Sequence, residues 1–202
     1  MDKFNELISL VGKHLKAKGW VKKSNTFYLK LDNNWGLINF QSSSDNSPTE
    51  KKFTINLGVS STVIRDFDGD TLETKPNLID CHWSARIGHF MEDRKDTWWT
   101  INQFTDLDQL SSDIIAIVDR IGIATIKDRI SDSKLIDLWS NNETQGSQEL
   151  KRLTYLTILL RHYKMEDYSK KVSDLIGYGE KNDSKYLVNI HLKQLDEFYG
   201  IK

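Results

Sequence analysis

The chain has 202 residues, 38% of them hydrophobic and 28% charged, and its formal net charge at pH 7 is -1. This composition is ordinary for a globular protein of one or two small domains, and it lacks the basic excess of nucleic-acid-binding proteins. A single cysteine, charged N-terminal residues and no long apolar segment together predict a cytoplasmic protein without a membrane or nucleic-acid partner.

The first third of the chain predicts one helix followed by three strands. Apolar residues recur at helical spacing over 2–18, and Gly19 favours the end of that helix. Strands are predicted over 21–31, 35–42 and 52–62. Turn-forming residues separate the first two strands and indicate a hairpin, and a serine-rich loop precedes the third.

The second and third strands both carry amides in alternation with apolar residues. Asn39 and Gln41 share one face of the strand 35–42, because successive side chains of a strand point to opposite faces. In the strand 52–62, Asn56 alternates with apolar neighbours in the same way. These two strands therefore predict a sheet with one apolar face and one face that bears amides.

The middle of the chain is acidic and contributes two further strands. Residues 61–110 contain five Lys and Arg against ten Asp and Glu. A loop is predicted over 65–77, a fourth strand over 81–90 and a short fifth strand over 98–101. In the fourth strand, alternation groups Cys81 with apolar residues, which predicts a buried structural thiol.

From Thr105 onward the apolar period becomes helical. A helix is predicted over 105–121, with a short continuation to 130, and a second helix is capped by Ser131 and carries Trp139. Three more helices are predicted over 147–163, 165–176 and 184–199. Gly177 and Gly179 are expected to end the helix 165–176. We expect an α+β domain over 1–125 and an all-α extension over 126–202 packed on it.

Four segments, taken in order, resemble a known family. They are Gly19–Tyr28 (GWVKKSNTFY), Trp35–Gln41 (WGLINFQ), Phe53–Gly58 (FTINLG) and His82–Gly88 (HWSARIG). Together they resemble the bacterial family described as domain of unknown function 4304, over about residues 1–125. The resemblance implies an α+β domain with an antiparallel sheet, and the strands predicted above give this sheet about four or five strands. It implies no known activity.

Five polar side chains are candidates to converge on the amide-bearing face if the strands pair in sequence order. They are Asn39, Gln41, Asn56, His82 and Arg86. Amides and arginine offer fixed donors and acceptors that suit a carboxylate, a phosphate or a peptide backbone. The alternative is a face that is only solvated, or one that the C-terminal helices cover while its amides bond to one another.

Other candidate chemistry is weak. Of the neighbours Trp98 and Trp99 only one can face the core, and Trp99 is a candidate interaction anchor, with core and rim packing as the alternative. The five histidines are scattered, and the acidic segment 66–70 departs from the spacing of a calcium loop, so no metal or other cofactor is expected. In the absence of a catalytic motif, no catalytic residue is assigned.

The sequence therefore predicts a non-enzymatic binding or interaction protein whose partner is an unknown protein or a small anionic ligand. One specific version is a bacterial toxin-immunity protein, suggested by the acidic middle segment. The alternative is an enzyme or sensor in which Arg86 holds a small anion and His82 moves a proton. A deep pocket on the amide-bearing face favours this alternative, and a flat or covered face favours the interaction protein.

Overall fold

The computed structural model describes residues 3–200 and contains a six-stranded antiparallel sheet with helices packed on it. The strands are β1 (Val21–Lys23), β2 (Thr26–Leu31), β3 (Asn34–Ser42), β4 (Glu50–Ser60), β5 (Trp83–Arg86) and β6 (Trp99–Asn102). β1 to β5 are neighbours in chain order, and β6 pairs with β4. The predicted fold class, an antiparallel α+β sheet followed by C-terminal helices, is confirmed.

Three strand boundaries differ from the prediction for local reasons. The segment 21–31 is a hairpin, because Ser24 adopts a φ of 53° and reverses the chain between β1 and β2. β4 ends at Ser60, and the hydroxyl of Ser61 then caps a short helix that was predicted as strand and loop. β5 ends at Arg86, since the next residues form a 3₁₀ turn over Ile87–Phe90.

The helices are α1 (Lys3–Ala17), α2 (Thr62–Phe67), α3 (Leu107–Ile117), α4 (Ala124–Lys127), α5 (Asp132–Ser140), α6 (Glu149–His162), α7 (Tyr168–Lys181) and α8 (Lys185–Phe198). A π-helical segment, Val118–Ile123, joins α3 to α4. The prediction that Gly177 and Gly179 end their helix was wrong. α7 continues through both, and a Cβ on Gly179 would lie 2.7 Å from Val188 Cγ2, so the glycine permits the close approach of α7 and α8. Among residues 3–200, no helix is both long and apolar enough to cross a membrane.

The apolar face of the sheet packs against α1 and α3. Phe4 of α1 lies against Phe53, with ring centroids 5.3 Å apart, and Ile55 and Leu57 are fully buried beside them. The same core continues into the C-terminal helices, where it includes Trp139 of α5 and residues of α6 and α8. A smaller apolar cluster joins α6, α7 and α8.

The C-terminal helices attach at one end of the sheet, where β3 begins and β5 begins. Asn34 Nδ2 donates to Asp132 Oδ1 of α5 at 2.8 Å, and Trp83 Nε1 donates to the Gln145 carbonyl at 2.8 Å. The ring of His82 packs edge-on against Tyr155 of α6 at 4.9 Å. This end of the sheet is therefore buried, and the amides further along β3 and β4 lie beyond it.

Candidate functional site

The amide-bearing face is organised around a row of directly opposed side chains. Thr26 pairs with Asn39, Asn39 with Asn56, and Asn56 with Arg86, on four neighbouring strands. Directly opposed residues on one face of a sheet lie close enough for their side chains to interact. The strands do pair in sequence order, which was the condition for convergence, and Asn39, Asn56 and Arg86 lie side by side.

Hydrogen bonds connect the amides into what we call the amide ladder: Thr26, Asn39, Gln41 and Asn56. Asn39 Nδ2 donates to Thr26 Oγ1 at 2.8 Å. Asn56 Nδ2 donates to Asn39 Oδ1 at 3.3 Å and to Gln41 Oε1 at 2.9 Å. Each amide is consequently held in one orientation before any partner arrives.

Part of the hydrogen-bonding capacity of the ladder is unused. Within the described chain, neither Gln41 Nε2 nor Asn56 Oδ1 has a hydrogen-bond partner. Gln41 is exposed and Asn39 is half-buried, whereas only 6% of Asn56 is exposed. The ladder therefore presents a free donor and a free acceptor.

A second group, the arginine–indole cluster of Arg86, Asp96 and Trp98, borders the ladder. Arg86 Nη1 forms an ion pair with Asp96 Oδ2, and Trp98 Nε1 donates to the same oxygen at 3.1 Å. The Arg86 guanidinium lies 5.0 Å from the centroid of the Trp98 ring. The Arg86 hydrogen bond lowers the pKa of Asp96 below its ordinary value, so this carboxylate is ionised at neutral pH.

An excursion of the chain between β5 and β6 brings this cluster together. Both strands pair with the same edge of β4, and residues 87–98 leave the sheet between them. The neck of the excursion is tight, because a Cβ on Gly88 would clash with the Lys95 carbonyl. Thr54 Oγ1 donates to the Thr97 carbonyl at 2.9 Å and fixes the returning segment. These contacts place Asp96 and Trp98 beside Arg86.

The surface over these groups is shallow. A depression of about 390 Å³ lies between the end of β5 and the excursion. Its lining residues are Asn56, Leu78, Ser84, Ala85, Arg86, His89 and Asp96. The side chains of Arg86 and Asp96 are 33% and 45% exposed, so the cluster is at the surface.

The structure separates His82 from this surface. His82 lies at the covered end of the sheet, is 5% exposed, and accepts a hydrogen bond at Nδ1 from the Ser61 amide at 2.9 Å. Burial, together with the charges of Arg65 and Lys151, lowers the pKa of His82 to about 3. The ring is therefore neutral and does not join Arg86, although strand alternation assigned both to one face.

The two neighbouring tryptophans occupy opposite faces. Trp99 pairs with Phe53 in the register of β4 and β6 and stacks on its ring at 5.6 Å, on the apolar side. Trp98 is the indole on the amide-bearing side. The sequence signal for this assignment was the apolar Ile101 two residues after Trp99, because residues i and i+2 of a strand share a face, and Ile101 is buried in the structure.

Two other residues of the site, Thr26 and Asp96, were not predicted from the sequence, for different reasons. The position of Thr26 beside Asn39 follows from the register of the hairpin β2–β3, whereas the approach of Asp96 to Arg86 has no local sequence signal.

Cys81 does not share the apolar face, since its Sγ lies over Gly58 on the amide-bearing side. Strand alternation fails there because Cys81 precedes β5 and ends a 3₁₀ turn. Burial raises the pKa of its thiol well above the ordinary value, which leaves it unreactive as a nucleophile.

Within residues 3–200, no group of three or more His, Cys, Asp or Glu is arranged to hold a metal ion.

Comparison with known proteins identifies a family over the region that carries the site. The family model described as Domain of unknown function (DUF4304) matches residues 11–126, more than half of the chain. The amide ladder and the arginine–indole cluster lie inside the match, and α5 to α8 lie outside it. Among curated proteins and among solved structures, no significant match is found.

Proposed function

The chain belongs to the DUF4304 family, and we propose that it is a cytoplasmic, non-enzymatic binding protein. Its partner docks on the amide ladder and the arginine–indole cluster. The observation that carries this proposal is the pre-oriented ladder, which is hydrogen-bonded within itself and still offers Gln41 Nε2 and Asn56 Oδ1. Pre-oriented side chains reduce the entropy lost on association, so the surface is suited to binding.

The shape and composition of the surface support a protein partner. Small-molecule sites are usually concave and enclose most of the ligand, whereas this depression is shallow and open. Trp and Arg are enriched among residues that dominate protein–protein binding energies, and Trp98 and Arg86 stand together here. Free amide donors and acceptors complement the backbone groups of a partner.

Electrostatics support the same choice. Arg86 is already paired with Asp96, so a small anion would have to compete with an existing carboxylate for the guanidinium. The alternative function, an enzyme or sensor of a small anionic ligand on this face, also requires His82 beside Arg86. His82 lies under α6 instead and is held neutral by burial.

The toxin-immunity version of this function is the specific form that we favour. Residues 61–110 contain ten acidic against five basic residues, and this segment includes the excursion that carries Asp96. An acidic segment that carries the Trp98 anchor fits the basic active-site face of a toxin that acts on nucleic acid. Co-expression with a toxin encoded beside its gene tests this version, since an immunity protein restores growth.

The general proposal is tested by affinity purification of the tagged protein from its own cells. We compare the wild type with Trp98→Ala and with a control, Phe104→Ala, which removes an aromatic ring that is 85% exposed on a different loop. A partner protein should be recovered with the wild type and with Phe104→Ala, and lost with Trp98→Ala. With the purified partner, calorimetry should show an affinity loss of about 30-fold or more, as expected for a dominant anchor residue.

A stability measurement separates binding from a structural role. Arg86→Ala should lower the free energy of unfolding by less than about 1 kcal/mol, because partly exposed ion pairs contribute little. The binding proposal fails if Arg86→Ala strongly destabilises the protein, or if Trp98→Ala recovers the same partners as the wild type.

A further inference from the structure

A second cavity lies among the C-terminal helices, outside the residues that the family model matches. We call it the α6–α7 pocket. It has a volume of about 400 Å³ and lies at the turn between α6 and α7, beside the end of α8. Its polar lining consists of Arg161, His162, Lys164, Tyr168, Ser169 and Tyr199.

The polar lining contains hydrogen-bond donors and no carboxylate. Arg161 and Lys164 form no ion pair with any described residue. The acids that influence the pocket tyrosines, Asp66 and Asp196, are not part of the lining. A guanidinium and an ammonium that form no ion pair, in a cavity whose lining holds no carboxylate, attract an anionic group.

Aromatic contacts shape the cavity around these cations. The Arg161 guanidinium lies 5.3 Å from the centroid of the Tyr168 ring. The Tyr199 hydroxyl lies 3.5 Å from His162 Nδ1, with the two ring centroids 6.2 Å apart. Burial raises the pKa of Tyr199 to about 12 and also raises that of Tyr168, so both hydroxyls are protonated at neutral pH. The pocket therefore offers neutral donors and ring surfaces next to two fixed charges.

We propose that the α6–α7 pocket binds a small organic phosphate monoester. Arg161 and Lys164 bind the phosphate oxygens, and the rings of Tyr168 and Tyr199 contact the organic group. A phosphate monoester carries close to two negative charges and three free oxygens, so it accepts hydrogen bonds from several directions at once. The tyrosine rings, with the apolar side chains of Leu160 and Met165, provide a surface for the ester group that inorganic phosphate does not use.

The test is a titration of the 202-residue protein with phenyl phosphate and with inorganic phosphate, in which nitrogen-15 NMR measures the shifts of the backbone amide signals. Phenyl phosphate should shift the amide signals of the α6–α7 turn saturably, with a dissociation constant below about 5 mM, and added salt should weaken it. Inorganic phosphate should bind at least severalfold more weakly. Arg161→Gln should raise the dissociation constant for phenyl phosphate about tenfold or more.

Two further variants keep the test decisive. Lys164→Gln should also weaken binding of phenyl phosphate. It replaces Arg161→Gln as the test variant if Arg161→Gln fails to fold because the contact with Tyr168 is lost. The matched control is Arg120→Gln, an exposed arginine away from the pocket, and it should bind as the wild type does. The proposal is overturned if shifts do not saturate, if the pocket variants and Arg120→Gln behave alike, or if inorganic phosphate binds as tightly as the ester.

Discussion

Acidification should destabilise this protein through His82, and His82→Asn should remove the part of that pH dependence that this residue causes. The imidazole is buried, accepts a hydrogen bond from the Ser61 amide, and lies in the field of Arg65 and Lys151. Protonation in the folded state would cost the hydrogen bond and leave a charge without a carboxylate partner. An asparagine Oδ1 can accept the same hydrogen bond and does not titrate.

The size of the effect follows from the difference between two pKa values. The folded pKa of His82 is about 3, and an unfolded histidine has a pKa of about 6.5. Between these values the unfolded state binds a proton that the folded state excludes, so the free energy of unfolding falls as the pH falls. At about pH 5 the loss from this residue is about 2 kcal/mol relative to neutral pH.

Other groups change the total pH dependence of the wild type. Burial lowers the pKa of His191 to about 4, which adds a loss in the same direction. Burial and the neighbouring Asp70 raise the pKa of Asp68 to about 6, which acts in the opposite direction because the folded state then binds the extra proton. Both contributions are common to the wild type and His82→Asn, so they cancel in the difference between the two proteins.

The assay is urea denaturation of the wild type and His82→Asn at about pH 7 and about pH 5. The variant is less stable at neutral pH because the smaller side chain leaves a void, so the comparison concerns the change with pH. The wild type should lose about 2 kcal/mol more than the variant. His89→Asn, at an exposed position, should behave as the wild type does. Equal losses in the wild type and His82→Asn would refute the argument that burial suppresses protonation of His82.

Further predictions concern the core, the helix contacts and the C-terminal helices. Ile55→Ala should lower the free energy of unfolding by about 2–5 kcal/mol because Ile55 is fully buried; a loss below about 1 kcal/mol in equilibrium denaturation would contradict this. Gly177→Ala should raise the free energy of unfolding by up to about 1 kcal/mol, because the new Cβ would meet no atom within 4 Å. Gly179→Ala should lower the free energy of unfolding, because its Cβ would clash with Val188. Thermal melts that show the reverse order would contradict this packing of α7 and α8. A fragment ending at Asn141 should be less soluble than the full chain, because it loses the cover of α6 and α8; equal solubility and stability would indicate two independent domains.

Local periodicity was sufficient to predict most of the elements and the amide-bearing face. The alternation in β3 and β4 placed Asn39, Gln41 and Asn56 on one side, and pairing of the strands in chain order, which the sequence analysis took as a condition, opposes Asn56 and Arg86. It was insufficient where a short turn interrupts a regular pattern. The end of β5 at Arg86 lies inside a segment whose apolar alternation continues to Ile87, so period alone could not detect it. The reversal at Ser24 lies in a run of polar residues, 22–26, that the predicted strand 21–31 spanned without a break.

Within the regular strands, the sequence by itself determined which side chains share a face, because the direction of a side chain in a strand depends only on its position relative to its neighbours. Only the tertiary structure decided which part of that face is accessible. α5 and α6 bury the end that contains His82, while the excursion 87–98 brings Asp96 and Trp98 to Arg86 at the open end. Packing between segments distant in the chain depends on the shapes of whole elements, and no local pattern of residues records it.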